Sequence, residues 1–301
     1  MDVSVIIINY NTFQLTSEAI ASIQVHTRGV SYEIILVDNN STECNPQLFL
    51  DRFGSSIALI RNPDNSGFAK GNNLGIKQAK GETILLFNSD AACINDALTI
   101  TYNVLASESK IGVATSRLEY PGGKLQHQCG RFPSVRLQLF ELLRLQKLIG
   151  PVQAGRILQG GFFDHQSELE PDWVWGTYFH FKRQLLEKLP NGQLPDDFFM
   201  YAEDLEWSFA IRKLGYSIRY VPAAMVLHHF SQSTRKEKKL NQQRMILQNE
   251  DIFLRREYGP LHTRAYYFAR WLSLSLARSI TEPQRHLAQQ YARLLRGEEI
   301  V

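Results

Sequence analysis

The sequence predicts an α/β protein built on a doubly wound, mostly parallel sheet. Aliphatic runs of strand length alternate with helix-length segments through residues 1–116, and this alternation is typical of βαβ units. The runs are continuously apolar, as in strands that are buried on both faces. Several of them end abruptly on Asn, Asp and Ser, and ligands bind outside the carboxyl ends of such strands.

The elements follow one another in a regular order. The first strand covers residues 3–8, and the polar residues Asn9 and Asn11 end it. Apolar periodicity and turn-forming residues then predict the helices and strands as far as residue 116. In chain order these are helix 13–26, strand 32–37, helix 46–53, strand 57–61, helix 68–79, strand 83–87, helix 96–107 and strand 111–116.

The chain is less regular beyond residue 116. Residues 135–149 predict an amphipathic helix, because leucines recur at helical spacing with Arg and Lys between them. The alternating aromatic run at 173–181 predicts a strand, and the glycine-rich stretch at 159–172 predicts a mobile loop. The other predicted elements are a loop or hairpin at 121–131, a helix at 205–214, strands at 217–221 and 225–227, and helices at 236–256 and 263–280.

The composition is that of an ordinary globular protein. The chain has 301 residues, of which 44% are hydrophobic and 21% charged, so it is long enough for an ample core. It contains no apolar run long enough to cross a bilayer, and it begins with a strand rather than a signal peptide. Its three cysteines have no CxxC spacing, which disfavours a disulfide framework or a zinc site. We therefore expect a cytoplasmic protein.

The charge is unevenly distributed along the chain. The net charge of +3 is too small to indicate a nucleic-acid partner. Residues 235–301 carry +6, however, whereas residues 1–234 carry −3. A basic C-terminal segment suits an anionic surface such as lipid head groups. A solvated helical face with mixed charges is an equally good interpretation.

The strand at 83–87 ends on Asn88, Ser89 and Asp90, where a ligand or a metal ion would be met. Taken alone, these residues are also compatible with a turn that caps the next helix. Polar residues end three strands at the same edge of the predicted sheet, and this favours a nucleotide site.

The sequence lacks the glycine motifs of other nucleotide-binding proteins. No P-loop is present. The spacing of Gly67, Gly71 and Gly75 differs from the GxGxxG of dinucleotide sites and does not directly follow a strand. A dehydrogenase is therefore disfavoured.

Two further groups of residues could take part in catalysis or binding. Glu203 and Asp204 begin a predicted helix, where they could stabilise its N-terminus or act as a general base. Tyr201 lies among aromatic residues that could stack on a sugar, although aromatics are more often core. His228 follows a strand, and together with Asp90 it would make a hard-metal site that phosphate oxygens complete.

Several of these stretches, in this order, resemble the inverting family 2 glycosyltransferases with the GT-A fold, especially the rhamnosyltransferase-like branch. Each motif is weak alone, but together they cover roughly residues 3–234 and are specific for fold and reaction class. The matching stretches are VIIINYN at 5–11, VDNNS at 37–41, NPDNSGFAKGNNLG at 62–75, LFNSD at 86–90, WVWG at 173–176, FFMYAEDLE at 198–206 and VLHH at 226–229.

The resemblance implies a role for each matching residue. Asp204 would be the catalytic base and Glu203 would orient it or hold a substrate. Asp90 and His228 would bind a divalent metal, Mg or Mn. Nucleotide-binding residues would be Asn9, Asn11, Asp38, Asn65, Gly67, Phe68, Asn72 and Asn88. Residues that flank the donor sugar or acceptor would be Trp175, Gly176 and Tyr201.

The resemblance also implies a domain plan. Residues 1–234 would form a catalytic domain with a Rossmann-like, mostly parallel sheet flanked by helices. Its nucleotide-binding half would be 1–116 and its acceptor-binding half 117–234. Residues 235–301 would form a C-terminal helical extension.

The implied partners are a UDP- or dTDP-sugar donor and a glycan or lipid-linked acceptor of cell-envelope polysaccharide synthesis. No nucleic acid is expected. The helix at 263–280, which interleaves aromatic residues with arginines, could lie peripherally at the cytoplasmic face of a membrane. Packing on the catalytic domain, or on another subunit of a homo-oligomer, is the alternative. A catalytically silent nucleotide-sugar-binding subunit is the rival of a different class.

Two positions depart from the family pattern. Asn88 stands where many relatives have the first Asp of a DxD motif, and Glu206 stands where Asp is common. Neither change removes the implied base. The first lowers the local negative charge, so we expect the metal to bind together with the donor diphosphate.

Overall fold

A computed structural model describes residues 1–229, 236–277 and 281–300 of the chain. They divide into two compact units. The sheet unit comprises Met1–Gly130 and Asp164–Gln232, and the helical unit comprises Arg131–Phe163 and Ser233–Val301. The predicted boundary near residue 234 stays a prediction, but the contacts group residues 131–163 with the C-terminal helices.

Among the described residues, nine strands of the sheet unit form one mixed sheet in the order β3-β2-β1-β4-β10-β6-β11-β5, with β7 paired to β6. A second, small sheet pairs β8 with β9. The strands are β1 (Val3–Asn9), β2 (Tyr32–Asn39), β3 (Ala58–Asn62), β4 (Thr83–Asn88), β5 (Ala91–Cys93), β6 (Ile111–Glu119), β7 (Leu125–Gln126), β8 (Cys129–Gly130), β9 (Trp173–Val174), β10 (Tyr178–Lys182) and β11 (Ser217–His228).

The sheet combines two parallel blocks through one antiparallel strand. Strands β3, β2, β1 and β4 run parallel to one another, and so do β6 and β11. Strand β10 lies antiparallel between β4 and β6. All seven residues of β1 are buried, because helices cover both faces of this part of the sheet.

Helices connect the strands of the sheet unit. A buried cluster that includes Ile7, Phe87 and Tyr178 joins sheet and helices, and its apolar burial supplies most of the driving force for folding. The helices are α1 (Phe13–His26), α2 (Gln47–Phe53), α3 (Phe68–Ile76), α4 (Ala97–Ser107) and α7 (Glu203–Lys213).

The helical unit contains α5 (Val135–Leu142), α6 (Pro151–Leu158), α8 (Lys236–Ser275) and α9 (Glu282–Arg296). Helix α5 packs on α8, and α8 packs on α9. The backbone leaves the helical conformation at Gly259, where φ is 80°, and Pro260 follows. Helix α8 therefore changes direction there, as expected of a Gly-Pro pair.

The predicted α/β fold class and the C-terminal helical segment are confirmed, and the predicted elements up to residue 116 agree closely with those observed. Three predictions beyond that point are wrong in detail. The two strands predicted at 217–221 and 225–227 are one strand with an irregular register. The strand predicted at 173–181 is interrupted at 175–177. The helix predicted at 135–149 ends as an α-helix at Leu142.

The predicted helix 263–280 lies within α8 as far as Ser275, and residues 278–280 are outside the described part of the chain. Its Tyr266 and Tyr267 are 6% and 1% exposed, because they pack inside the helical unit. Phe268 is 52% exposed. Within the described residues, no helix is both long and apolar enough to span a bilayer.

Two glycines of α3 provide a matched test of its packing on β1. An alanine Cβ at Gly75 would lie 2.6 Å from Cγ2 of the fully buried Ile6, whereas at Gly71 the nearest atom, Cγ2 of Ile8, is 3.4 Å away. We expect Gly75→Ala to lower the free energy of unfolding by about 1–3 kcal/mol through overpacking. Gly71→Ala should be neutral or stabilising by up to about 1 kcal/mol through helix propensity. Urea denaturation measures both, and equal effects would contradict the packing described.

Candidate functional site

The carboxyl ends of three neighbouring strands bring the first predicted site residues together. Asn9 at the end of β1 is paired with Asp38 of β2, and Ile8 is paired with Asn88 of β4. The polar ends therefore share one edge of the sheet, as the sequence predicts.

Asn9 and Asp38 form a buried network. The Asn9 side chain donates from Nδ2 to Asp38 Oδ1 (2.7 Å) and to Ser41 Oγ (2.9 Å). Its Oδ1 accepts bonds from the hydroxyls of Thr12 (3.1 Å) and Thr16 (2.9 Å). Asn9 and Asp38 are nearly inaccessible to solvent, at 1% and 2% exposure. This network holds the Asp38 carboxylate in one orientation at the sheet edge, with acceptor capacity beyond the Asn9 bond.

Asn11 is engaged with the backbone of a neighbouring loop. Its Oδ1 accepts bonds from the amides of Thr42 (2.8 Å) and Glu43 (3.0 Å). It adopts a left-handed conformation with φ of 55°, which Asn tolerates better than most residues. In this structure Asn11 therefore shapes the loop that follows β2.

The loop from residue 62 to 67 is organised by Asn39, which sequence reasoning did not single out. The Asn39 amide donates to Asn65 Oδ1 (2.9 Å) and to the Gly67 carbonyl (3.2 Å), and its Oδ1 accepts from Asn62 (2.7 Å). Asn65 also accepts a bond from the Gly67 amide (3.2 Å). The signal for Asn39 in the sequence is its position at the end of a buried strand.

Gly67 and Phe68 meet the loop that precedes α7. Gly67 has φ of 86°, and a Cβ there would collide with the Phe199 carbonyl oxygen. The Phe68 amide donates to that same oxygen at 2.9 Å. Only glycine permits this approach, because it combines a left-handed conformation with the absence of a side chain.

Two asparagines on α3 have different partners. Asn72, a predicted site residue, donates within its own helix to the Phe68 carbonyl (2.9 Å). Asn73, which was not predicted, donates to the Leu194 carbonyl (2.9 Å) and to Asp196 Oδ2 (3.2 Å). Asn73 therefore ties α3 to the segment that leads towards α7.

Asn88, Asp90 and His228 lie at the edge formed by β4, β5 and β11. The His228 Nε2 is 3.2 Å from Asp90 Oδ1, and the His229 amide donates to the Asp90 carbonyl (2.9 Å). The Asn88 Oδ1 is buried and lacks a hydrogen-bond partner. Asp90 and His228 thus bring an oxygen and a nitrogen atom of the type that bind divalent cations within 3.2 Å of each other.

Gln126 on β7 orients the imidazole of His228. Its Oε1 lies 2.7 Å from His228 Nδ1. Because an amide oxygen only accepts, Nδ1 is the donor in this bond, and Nε2 faces Asp90. A second partner of this kind is typical of metal-binding histidines. Gln126 was not predicted, since nothing in the local sequence connects it to a residue 102 positions away.

The described residues contain no group of three or more His, Cys, Asp or Glu side chains that would hold a metal by themselves. The pair of Asp90 and His228, with the unpartnered oxygen of Asn88, fits a cation that also takes ligands from another molecule.

Asp204 is held at the N-terminus of α7 by two backbone amides. Its Oδ2 accepts a bond from Gly176 N (3.2 Å), and its Oδ1 accepts one from Leu205 N (2.8 Å). The preceding residues Tyr201 and Ala202 both have positive φ, at 68° and 74°. Two consecutive non-glycine residues in this region are strained, and such strain is concentrated at functional sites.

The segment 175–177 connects Asp204 to the end of β4. Gly176 binds the Asp204 carboxylate, and the Thr177 carbonyl accepts a bond from Asn88 N (3.1 Å). Trp175 is fixed by Gln128 through two hydrogen bonds. The Trp175 amide donates to the Gln128 carbonyl (3.2 Å), and the Trp175 carbonyl accepts a bond from Gln128 Nε2 (3.2 Å). The interruption between β9 and β10 thus places Gly176 beside Asp204.

An aromatic group lies beside Gly176. Phe68 stacks on Trp207 with ring centroids 6.0 Å apart, and Trp207 contacts Phe179 edge-on at 5.6 Å. A Cβ at Gly176 would lie 3.3 Å from Phe68 and 3.7 Å from Asp204. Trp207 is fully buried, so this aromatic is core.

Burial raises the pKa values of both Glu203 and Asp204. For Glu203, which is 7% exposed and has an unpartnered Oε2, the charge of Asp204 adds to the increase. For Asp204, the amides of Gly176 and Leu205 oppose it by stabilising the ionised form. The arrangement therefore favours a proton on Glu203 and a charge on Asp204 when the two share one proton.

Comparison with known proteins identifies relatives of this chain. The sequence model of the family described as Glycosyl transferase family 2 matches residues 4–158. The N-acetylglucosaminyl-diphospho-decaprenol L-rhamnosyltransferase of Mycobacterium tuberculosis is 25% identical over 252 residues, which span 77% of this chain and 78% of that protein. An uncharacterized protein of Sinorhizobium fredii is 23% identical over 236 residues, which cover 77% of this chain but only 25% of that longer protein.

A solved structure has a similar fold. The mannosyltransferase PcManGT from Pyrobaculum calidifontis, in complex with GDP-Man and Mn²⁺, superimposes with a TM-score of 0.61 at 19% identity. The alignment covers 97% of this chain and 79% of that protein. At this identity the likeness establishes the fold.

The buried Glu203 gives the protein a pH-dependent stability. A raised pKa means that the folded state holds this proton more tightly than the unfolded chain, so stability falls as pH rises through the raised pKa. We expect Glu203→Gln to increase the free energy of unfolding by about 1–3 kcal/mol at pH 8, and by less at pH 5. Urea denaturation at the two pH values measures this. The exposed Glu187→Gln is the control, and a gain for Glu203→Gln that is equal at both pH values would refute the assignment.

Proposed function

Because the chain belongs to glycosyl transferase family 2, we propose that it is an inverting transferase that moves a sugar from a nucleotide diphosphate to an acceptor hydroxyl. The observation that carries this proposal is the amide of Gly176 on the Asp204 carboxylate, at 3.2 Å. Through Thr177, the same segment binds the strand end at Asn88. A candidate base is thereby held beside the edge where a donor would bind.

The strand ends supply the donor site in this proposal. Asp38, fixed by Asn9, would accept hydrogen bonds from the base or the ribose. The loop held by Asn39, including Asn65, Gly67 and Phe68, would approach the nucleotide, with Gly67 leaving room for backbone contact. Trp175, Gly176 and Tyr201 would line the region between donor and acceptor.

Asp90 and His228 would hold a divalent cation, Mg²⁺ or Mn²⁺. They fit such an ion because Gln126 orients His228 so that Nε2 faces Asp90, and because the Asn88 oxygen has no other partner. A bound cation would neutralise charge on the diphosphate leaving group. With two side-chain ligands and the weak oxygen of Asn88, we expect the protein to bind the cation and the donor diphosphate together.

The chemical step requires one base and one displacement. Asp204 accepts the proton of the acceptor hydroxyl while the oxygen of that hydroxyl forms a bond to the anomeric carbon. The bond from that carbon to the diphosphate oxygen breaks on the opposite face, so the configuration inverts. Glu203, which burial keeps protonated, leaves the charge on Asp204.

The rhamnosyltransferase relative supports rhamnose as the sugar and a lipid-linked glycan of the cell envelope as the acceptor. Another UDP- or dTDP-sugar would use the same residues. A nucleotide-sugar-binding subunit without catalysis is the competing interpretation, and the two backbone amides that orient the partly buried Asp204 carboxylate support catalysis instead.

Replacement of Asp204 separates donor binding from transfer. We expect Asp204→Asn to bind the donor within about threefold of wild type and to lose at least about 100-fold in turnover, because the amide cannot accept the hydroxyl proton. Asp197→Asn, an equal charge change at an exposed position of the preceding loop, should keep turnover.

Thermal shifts with a panel of nucleotide sugars, with and without Mn²⁺, identify the donor, and turnover is then measured with acceptor pools. Full activity in Asp204→Asn would disprove its role as base. Donor binding by wild type without product from any acceptor would support the silent subunit.

A second test concerns the cation. We expect His228→Ala to weaken Mn²⁺-dependent donor binding by about 10–100-fold while metal-free nucleotide binding changes little. Gln126→Ala should have the same selectivity and a smaller effect. His229→Ala is the matched control, since its backbone amide to Asp90 is retained. Isothermal titration with and without Mn²⁺ measures these affinities, and equal losses in both conditions would exclude a ligand role for His228.

A further inference from the structure

The helical unit exposes a group of large apolar side chains between residues 135 and 162. Leu143, Leu148 and Val152 are 66%, 81% and 65% exposed, and Leu139 and Phe162 are close to half exposed. Single exposed apolar residues are ordinary on protein surfaces. Five within so short a segment indicate an interaction surface.

Cations accompany these apolar residues. Arg136, Arg144, Lys147 and Arg156 are all exposed. Residues 131–163 have a formal charge of +4, with Glu141 as the single acidic residue in that stretch of sequence. The segment thus combines exposed apolar side chains with a net positive charge.

The local geometry places cations and apolar groups side by side. Arg136, Leu139 and Leu143 are spaced three and four residues apart along α5 and its C-terminus, so they share one face. Val152 and Arg156 are one turn apart on α6. Apolar side chains with arginine or lysine one turn away are typical of segments that lie in a membrane interface.

We propose that the surface formed by residues 135–162 binds an anionic lipid bilayer. Leucines would enter the boundary between head groups and acyl chains, and the cations would contact lipid phosphates. A second copy of the chain fits less well, because a symmetric contact would place this +4 segment against itself.

The proposal replaces residues 263–280 as the principal membrane contact, since Tyr266 and Tyr267 of that helix are buried inside the helical unit. It does not depend on the transfer reaction, because lipid binding needs neither donor nor acceptor.

Flotation of the full chain with vesicles tests the proposal. Vesicles of phosphatidylglycerol and phosphatidylcholine are compared with vesicles of phosphatidylcholine alone. Two double variants remove one property each: Leu143→Ser with Leu148→Ser, and Arg144→Glu with Lys147→Glu. The controls are Leu261→Ser, which is 84% exposed on α8, and Arg285→Glu, which is exposed on α9.

We expect wild type and both controls to float with the anionic vesicles, and each double variant to bind them at least about tenfold more weakly. Circular dichroism verifies that the variants are folded. The proposal is overturned if wild type does not float, if it binds neutral vesicles equally well, or if both double variants bind like wild type. It is also overturned if sedimentation shows a wild-type dimer that the double variants lose while none of the proteins float.

Discussion

The hydrogen bond from Gly176 to Asp204 is the contact on which the rest of the site depends. Gly176 belongs to a three-residue interruption of a strand, and its neighbour Thr177 binds the end of β4. The start of α7 and the carboxyl edge of the parallel block are therefore held by one short segment. A Cβ at 176 would lie 3.3 Å from the Phe68 ring, which is a tight contact, so the position suits glycine even though its φ is not positive.

The same region carries several local costs. Tyr201 and Ala202 have left-handed backbone conformations, and Glu203 buries a carboxyl oxygen without a partner. Each would lower stability in an ordinary surface loop. Here the surrounding structure offsets them, because Asn73 anchors the approach to α7 and Trp207 is buried beneath it. These unfavourable features shield the carboxyl groups of Glu203 and Asp204 from bulk water, which would otherwise stabilise their ionised forms.

The sequence predicted the sheet well and the site in part. The five longer strands up to residue 116 were predictable because continuous apolar runs and abrupt polar ends leave few alternatives. The three-residue strand β5 was not predicted. Asn39, Asn73 and Gln126 were missed because their partners lie far away in the chain, where only the fold brings them close. Helix α9 was missed, although its capping box at Thr281 and Gln284 and the helical spacing of Leu287, Tyr291 and Leu294 are both legible in the sequence. The roles of the predicted site residues stay predictions.

Strand β10 gives the fold a particular order of assembly. It is the only described strand that pairs with both β4 and β6, and it lies about 90 residues beyond β4 in the chain. Until it has been synthesised, β4 presents an unpaired edge and no strand joins it to β6. An incomplete sheet with this open edge is therefore exposed to aggregation until residue 182 leaves the ribosome. Contacts of such long sequence separation make folding slow, so this protein is a natural candidate for assistance by chaperones during synthesis.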